Sequence, residues 1–172
     1  MNKITLYLDM DGVLANFDKK FQELKTLYEH DEEDHVRFRD AVMKYKIFED
    51  LEYMPDTNVL LNHVSKLRDI NIEILTSKGT FDVARGEEAE RQKMLWLKRK
   101  GITYKPNFVR TKTEKAKFAT PYSILIDDSI GCIKPFNNAG GHGILHSNDT
   151  VKQTLFELDR IIENLTNEYI LS

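Results

Sequence analysis

The sequence is short of cysteine, of long apolar runs and of any strong charge bias, and each shortage excludes something. Its one cysteine, Cys132, cannot close an internal disulfide, so a cytoplasmic, reducing location is expected and Cys132 reads as a buried filler. The first residues show no basic stretch followed by an apolar segment with small residues, which argues against a secretory leader. No run approaches the roughly 20 apolar residues that cross a bilayer, so no membrane association is expected. A net charge of -3 argues against a nucleic-acid coat or a polybasic anchor, yet permits a local basic pocket around a small anion. There is no internal repeat and no low-complexity segment.

What is present is a globular composition, 41% hydrophobic and 31% charged over 172 residues, enough for one domain with a real core. ITLYLD is a compact apolar run rich in β-formers and predicts a buried strand. Phe17, Phe21, Leu24 and Leu27/Tyr28, then Val36, Phe38, Val42, Met43 and Ile47, recur at three- and four-residue spacing and predict two amphipathic helices. A third helix is expected from Val59 to Asp69. INIEILT predicts a strand, SKGTFD a loop, and Glu87 to Lys100 a charged helix buried through Met94, Leu95, Trp96 and Leu97. NFVRT and SILIDDS predict strands with EKAKFA as a short helix between them. A turn is expected at Ile133 to Phe136, a strand in GGHGILH, and a last helix from Thr150 to Asn164. Strands alternating with helices predict an α/β fold with a mostly parallel sheet.

Asp9 and Asp11 close the first strand, Thr76 and Ser77 the second, and Asp127 and Asp128 the SILIDDS strand. In a parallel sheet these ends share one edge, where ligands bind. Carboxylates brought together in this way repel, unless a hard cation such as Mg²⁺ takes them as oxygen ligands.

These segments, in this order, resemble the four motifs of the haloacid dehalogenase superfamily: DMDGVLANF the first, ILTSKG the second, a lysine in TEKAKFA the third and ILIDDS the fourth. The resemblance implies a three-layer Rossmann-like core with helices on both faces of the sheet. It assigns that core to residues 1–15 and 53–172, with a small helical cap inserted over 16–52. It implies that Asp9 attacks phosphorus and that Asp11 serves as acid and then base. Thr76, with Ser77 close behind, would hold the phosphate through hydroxyl and amide. Lys115, preferred over Lys117, would neutralise the phosphoryl group. Mg²⁺ would be held by Asp9, the Asp11 carbonyl and Asp128, with Asp127 acting through water.

Within the superfamily, DMDGVLANF, KIFEDLEYMPD and QKMLWLKRKGI are similar to the 5'(3')-deoxyribonucleotidases, including small bacterial and phage-type members, with Asn16 in place of that family's usual aspartate. That likeness implies a deoxynucleoside 5'-monophosphate as the small-molecule substrate, its base flanked by Phe17 and Phe48. It implies no stable nucleic-acid partner and is compatible with a homodimer. A nucleic-acid 3'-phosphatase or another small-metabolite phosphatase is the alternative, and a non-catalytic nucleotide-binding module is disfavoured by the intact Asp9/Asp11 pair. Trp96 reads as core. The histidines carry no role, with His30 and His35 expected in solvent.

Overall fold

A computed structural model describes residues 3–27 and 33–171. Five parallel strands, β1 (Thr5–Leu8), β2 (Asn71–Ser77), β3 (Lys105–Val109), β4 (Ser123–Asp127) and β5 (His142–Leu145), form one sheet in the order β3-β2-β1-β4-β5. From β1 the chain steps outward through β2 to β3, then crosses back to β4 and β5. The switch point therefore falls between β1 and β4, and the carboxyl edge there is where such sheets bind ligands.

The alternation of side chains along the strands divides the core in two. Leu6 and Leu8 of β1 pair in register with Ile124 and Ile126 of β4, and Ile74 and Ile144 extend this face. Against it pack α3 (Thr57–Val64), α4 (Val83–Arg99) and α6 (Val151–Leu171), through residues such as Leu60, Trp96 and Leu158. Each fully buried aliphatic side chain here contributes about 1.5–3 kcal/mol. The opposite face carries Tyr7, Leu75 and Leu125 and is covered by α5 (Ile130–Asn138) through Cys132, Ile133 and Phe136.

Between β1 and α3 the chain makes α1 (Phe17–Lys25), α2 (Asp34–Met43) and a 3-10 turn, Ile47–Asp50. Asn16 caps α1 by accepting from the Lys19 amide at 3.3 Å. An antiparallel bridge between Ala15 and Tyr53, with Asn16 N donating to Glu52 O at 2.9 Å, brings the two ends of this segment side by side. Helix α4 holds the segment from below. Gln92, fully buried, donates to Val42 O (2.8 Å) and accepts from Phe48 N (3.2 Å), and Trp96 Nε1 donates to Leu51 O (2.8 Å).

Several expectations change. The turn expected at Ile133 to Phe136 is the middle of α5: Pro135 sits inside a nine-residue helix whose buried side needs Cys132, Ile133 and Phe136. Helix α4 starts at Val83, because Asp82 caps it by accepting from Arg85 N at 2.7 Å. Its buried stripe holds Ala89, Gln92, Lys93, Trp96 and Leu97, while Met94 is exposed. Helix α3 stops at Val64 rather than Asp69, and α6 runs to Leu171. Residues Lys112–Phe118 form a 3-10 helix. Tyr28 and His30 lie outside the described residues.

Candidate active site

After β1 the chain folds into a tight turn in which the amides of Val13, Leu14 and Ala15 all donate to Met10 O (3.2, 2.8 and 2.9 Å). This turn presents Asp9 and Asp11 on the carboxyl edge. Gly12 has φ +82, and a Cβ there would fall 2.1 Å from Asp128 Oδ2. Glycine therefore serves twice, supplying the left-handed backbone and leaving room for a carboxylate from the neighbouring strand end.

Two buried lysines organise the acidic groups. Lys115, 1% exposed, places Nζ 2.8 Å from Asp9 Oδ1 and 2.6 Å from Asp127 Oδ2. Asp127 also accepts from Ser129 N at 2.9 Å, so both its oxygens are engaged. Lys93, fully buried on α4, donates to Asp11 Oδ2 (2.6 Å), Thr76 Oγ1 (2.8 Å) and Ser77 O (2.9 Å). Its ammonium also stands 4.5 Å from the centre of the Phe48 ring. Asp11 Oδ1 is buried with no hydrogen-bond partner among the described residues. Lys117 is exposed and pairs with Glu114.

Electrostatics mark the cluster as short of positive charge. Burial pushes Asp9 up to about 7, with Lys115 opposing and Asp127 and Asp11 adding to the rise. Burial, then the Asp127 charge, pushes Asp128 up to about 6. Burial works to lower the Lys115 pKa, but the charges of Asp9 and Asp127 outweigh it and hold the ammonium firmly protonated. Burial pushes the Cys132 thiol up to about 12, leaving it a neutral wall of the site. Ligand oxygens of Asp9, Asp127 and Asp128 all lie within 4.8 Å of one another. Three carboxylates facing one ammonium, all with hard oxygen donors, suit a divalent cation such as Mg²⁺.

Above the cluster lies a cavity of about 580 Å³, lined by Asp9, Asp11, Ser77, Lys112 and Asp128 and roofed by Phe17, Phe38 and Phe48. Phe17 stacks on Phe48 with ring centres 5.5 Å apart and meets Phe38 at 6.2 Å. Rings in such direct contact leave no slot between them for a planar group. Phe48 is 2% exposed, so the available ring surface belongs to Phe17 and Phe38.

No family model and no curated protein matches the chain. Among solved structures, a haloacid dehalogenase-like family hydrolase from Xanthomonas campestris aligns over 96% of this chain and 94% of its own, with a TM-score of 0.62 at 11% identity. The fold is haloacid dehalogenase-like. A HAD family enzyme from Bacteroides thetaiotaomicron, a magnesium complex, aligns over 91% of this chain and 99% of its own (TM-score 0.53, 13% identity). A hydrolase from Streptococcus pneumoniae aligns over 90% and 99% (TM-score 0.51, 15% identity).

On this haloacid dehalogenase-like scaffold, Asp9, Asp11, Ser77, Lys115, Asp127, Asp128, Phe17 and Phe48 all border one cavity. Thr76 is fully buried and meets the site through Lys93. Lys93 and Phe38 carried no expected role. Lys93 did leave a signal, since a lysine three residues before Trp96 and four after Ala89 stands on the buried stripe of an amphipathic helix. His146, also without an expected role, is buried against Asp56 (Nε2 to Oδ2, 2.9 Å).

Proposed function

We propose that this chain is a Mg²⁺-dependent phosphomonoester hydrolase that removes phosphate from deoxynucleoside 5'-monophosphates. The observation that carries the reading is the meeting of Asp9 and Asp11, each with its own buried lysine, beneath an aromatic roof. In this reading residues 16–52 are the cap, and 1–15 with 53–172 are the core. The location is cytoplasmic and a homodimer is compatible with it. No helix among the described residues is long and apolar enough to cross a membrane.

Asp9 attacks phosphorus as the bond from phosphorus to the leaving alcohol oxygen breaks, and Asp11 delivers its proton to that oxygen. Water then attacks the phosphorus of the aspartyl-phosphate, Asp11 takes the water proton, and the bond to Asp9 breaks to release phosphate. Asp11 Oδ1, buried and without a hydrogen-bond partner among the described residues, is uncommitted and left for these transfers, while Oδ2 is anchored by Lys93. Lys115 lines the cavity beside the phosphoryl group and offsets its charge, while Lys93, whose three N–H bonds go to Asp11, Thr76 and Ser77, acts by holding Asp11. Thr76 orients Lys93, and Ser77 lines the phosphate side. Asp9, Asp128 and the Asp11 carbonyl would hold Mg²⁺, with Asp127 behind them because Lys115 and Ser129 already occupy its oxygens. When bound, the ion supplies neutralising charge between the carboxylates and the phosphate.

The base lies against Phe17 and Phe38, where stacking is favourable and tolerant of base identity. A roofed cavity suits a mononucleotide better than a polynucleotide end. The test is a phosphate-release screen over nucleoside monophosphates, sugar phosphates and a 3'-phosphorylated oligonucleotide, with and without Mg²⁺. Preference for deoxynucleoside monophosphates is expected. Equal rates on all small substrates would remove the nucleotide assignment, and preference for the oligonucleotide would replace it with a nucleic-acid 3'-phosphatase.

A further inference from the structure

We propose that Asp56, His146 and Thr154 form a buried positioning relay that locks the Asp11 turn in register with the Asp127 strand end. Its catalytic consequence rests on the reading of Asp11 as proton donor, whereas its structural consequence does not.

Asp56 occupies the N-cap position of α3, where an aspartate ordinarily accepts from the helix's first amides. Its side chain makes no such bond. The carboxylate faces His146 instead, with Oδ2 2.9 Å from Nε2, an ion-pair approach off hydrogen-bond alignment between two groups whose side-chain exposures are 6% and 0%. The other ring nitrogen, Nδ1, lies 2.8 Å from Thr154 Oγ1 on α6, which fixes the orientation of the imidazole. A buried carboxylate that gives up its helix cap needs a structural return.

That return is visible in what the two residues are joined to. On the Asp56 side, Thr57 Oγ1 donates to Leu14 O (2.9 Å) and lies 3.3 Å from Val13 O, and Met54 N donates to Leu14 O (3.0 Å). The segment beside Asp56 thus holds the carbonyls of the turn that carries Asp11 and Gly12. On the other side, His146 N donates to Asp127 O at 2.9 Å. The circuit closes through the sheet, where Asp9 N donates to Ile126 O at 3.0 Å. The relay is therefore a second side-chain link between the two limbs of the acidic cluster, beside the one that Lys115 makes between Asp9 and Asp127. Asp56 and His146 are absent from the cavity lining, so they act through the turn.

Two measurements on the full chain separate the structural and catalytic halves. The first is amide hydrogen exchange in Asp56→Ala and His146→Ala. Exchange at residues 11–15 should rise about tenfold or more while the β1 and β4 amides keep their protection. Unchanged exchange at the turn would overturn the relay whatever the enzyme's activity. Thr154→Val, which removes only the hydroxyl, should move the same amides in the same direction by less, and it carries the test if either alanine variant does not fold.

The second measurement compares an aryl phosphate, whose leaving group needs little proton assistance, with an alkyl phosphate such as a nucleoside monophosphate. A misplaced Asp11 should lower kcat/KM, which runs only to formation of the aspartyl-phosphate and so excludes the later role of Asp11 as base, about tenfold more for the alkyl ester than for the aryl ester. Equal losses on both esters would reduce the relay to a general stabiliser. Wild-type protein inactive on both esters would instead remove the phosphatase reading, leaving the exchange result to stand or fall alone.

Discussion

Lys93 Nζ sits 2.6 Å from Asp11 Oδ2, joining the middle of α4 to the turn after β1. The same ammonium reaches Thr76 and stands over the Phe48 ring, so strand, helix, turn and aromatic roof meet at one buried charge.

Replacing that charge should be felt in turnover before it is felt in folding. Lys93→Met keeps the length and apolar stem but leaves Asp11 Oδ2 and Thr76 Oγ1 without their donor. The expected result is a kcat about a hundredfold or more below wild type, in the range contributed by positioned acid–base groups, with an unchanged far-UV circular dichroism spectrum. Wild-type turnover would show that Asp11 needs no anchor.

Gly12→Ala tests how Asp128 reaches the cluster. The added methyl would stand 2.1 Å from Asp128 Oδ2 on a backbone at φ +82, so the carboxylate must move, and the left-handed conformation itself costs about 1–2 kcal/mol. A Mg²⁺ titration of activity should show half-saturation about tenfold or more higher, and the melting temperature should fall. Normal Mg²⁺ dependence would place Asp128 outside the metal site.

Acid should compete with the metal. With Asp9 pushed up to about 7 and Asp128 to about 6 in the metal-free site, protons occupy these carboxylates as the pH falls through that window. The Mg²⁺ concentration for half-maximal activity should therefore rise steadily from pH 8 to roughly pH 5.5, and chelation should abolish activity at every pH. A Mg²⁺ requirement independent of pH would contradict the assignment of these ligands.

Acid should also loosen the inserted segment. Hydrogen bonding from Arg91 holds Glu88 well below the usual carboxylate range, against the opposing effect of burial and with further help from Gln92 and Lys46. A depressed folded pKa gives stability that is present above the ordinary value of 4.5 and is lost as pH falls towards the folded value. Trp96, bonded to Leu51 O, reports on this contact. Its fluorescence and the melting temperature should change below about pH 4.5 in the wild type and respond less in Glu88→Gln. Identical acid profiles would show that the Glu88 cluster does not hold the segment.

Those features that rest on local pattern were legible in the sequence. Leu6, Leu8, Ile124 and Ile126 lie in short apolar runs that end on carboxylates, so β1, β4 and their shared edge could be read directly. Helix α5 could not, because Pro135 and the Asn-Asn-Ala-Gly-Gly stretch after it look like a turn, and only burial of Cys132, Ile133 and Phe136 shows the helix. The start of α4 was hidden by Val83 and Gly86, poor helix formers whose cost the Asp82 cap offsets. Lys93 was half legible, its place on a buried stripe visible but its partners 82 and 17 residues away. The contact between Asp56 and His146 left no local signal, because it joins a helix start to the end of β5.

The central claim is that Asp9 attacks phosphorus, and the most direct measurement is phosphate release by Asp9→Asn from a deoxynucleoside monophosphate with saturating Mg²⁺. The expected result is release no faster than the uncatalysed background, from a protein whose circular dichroism matches wild type. Turnover at the wild-type rate would contradict it.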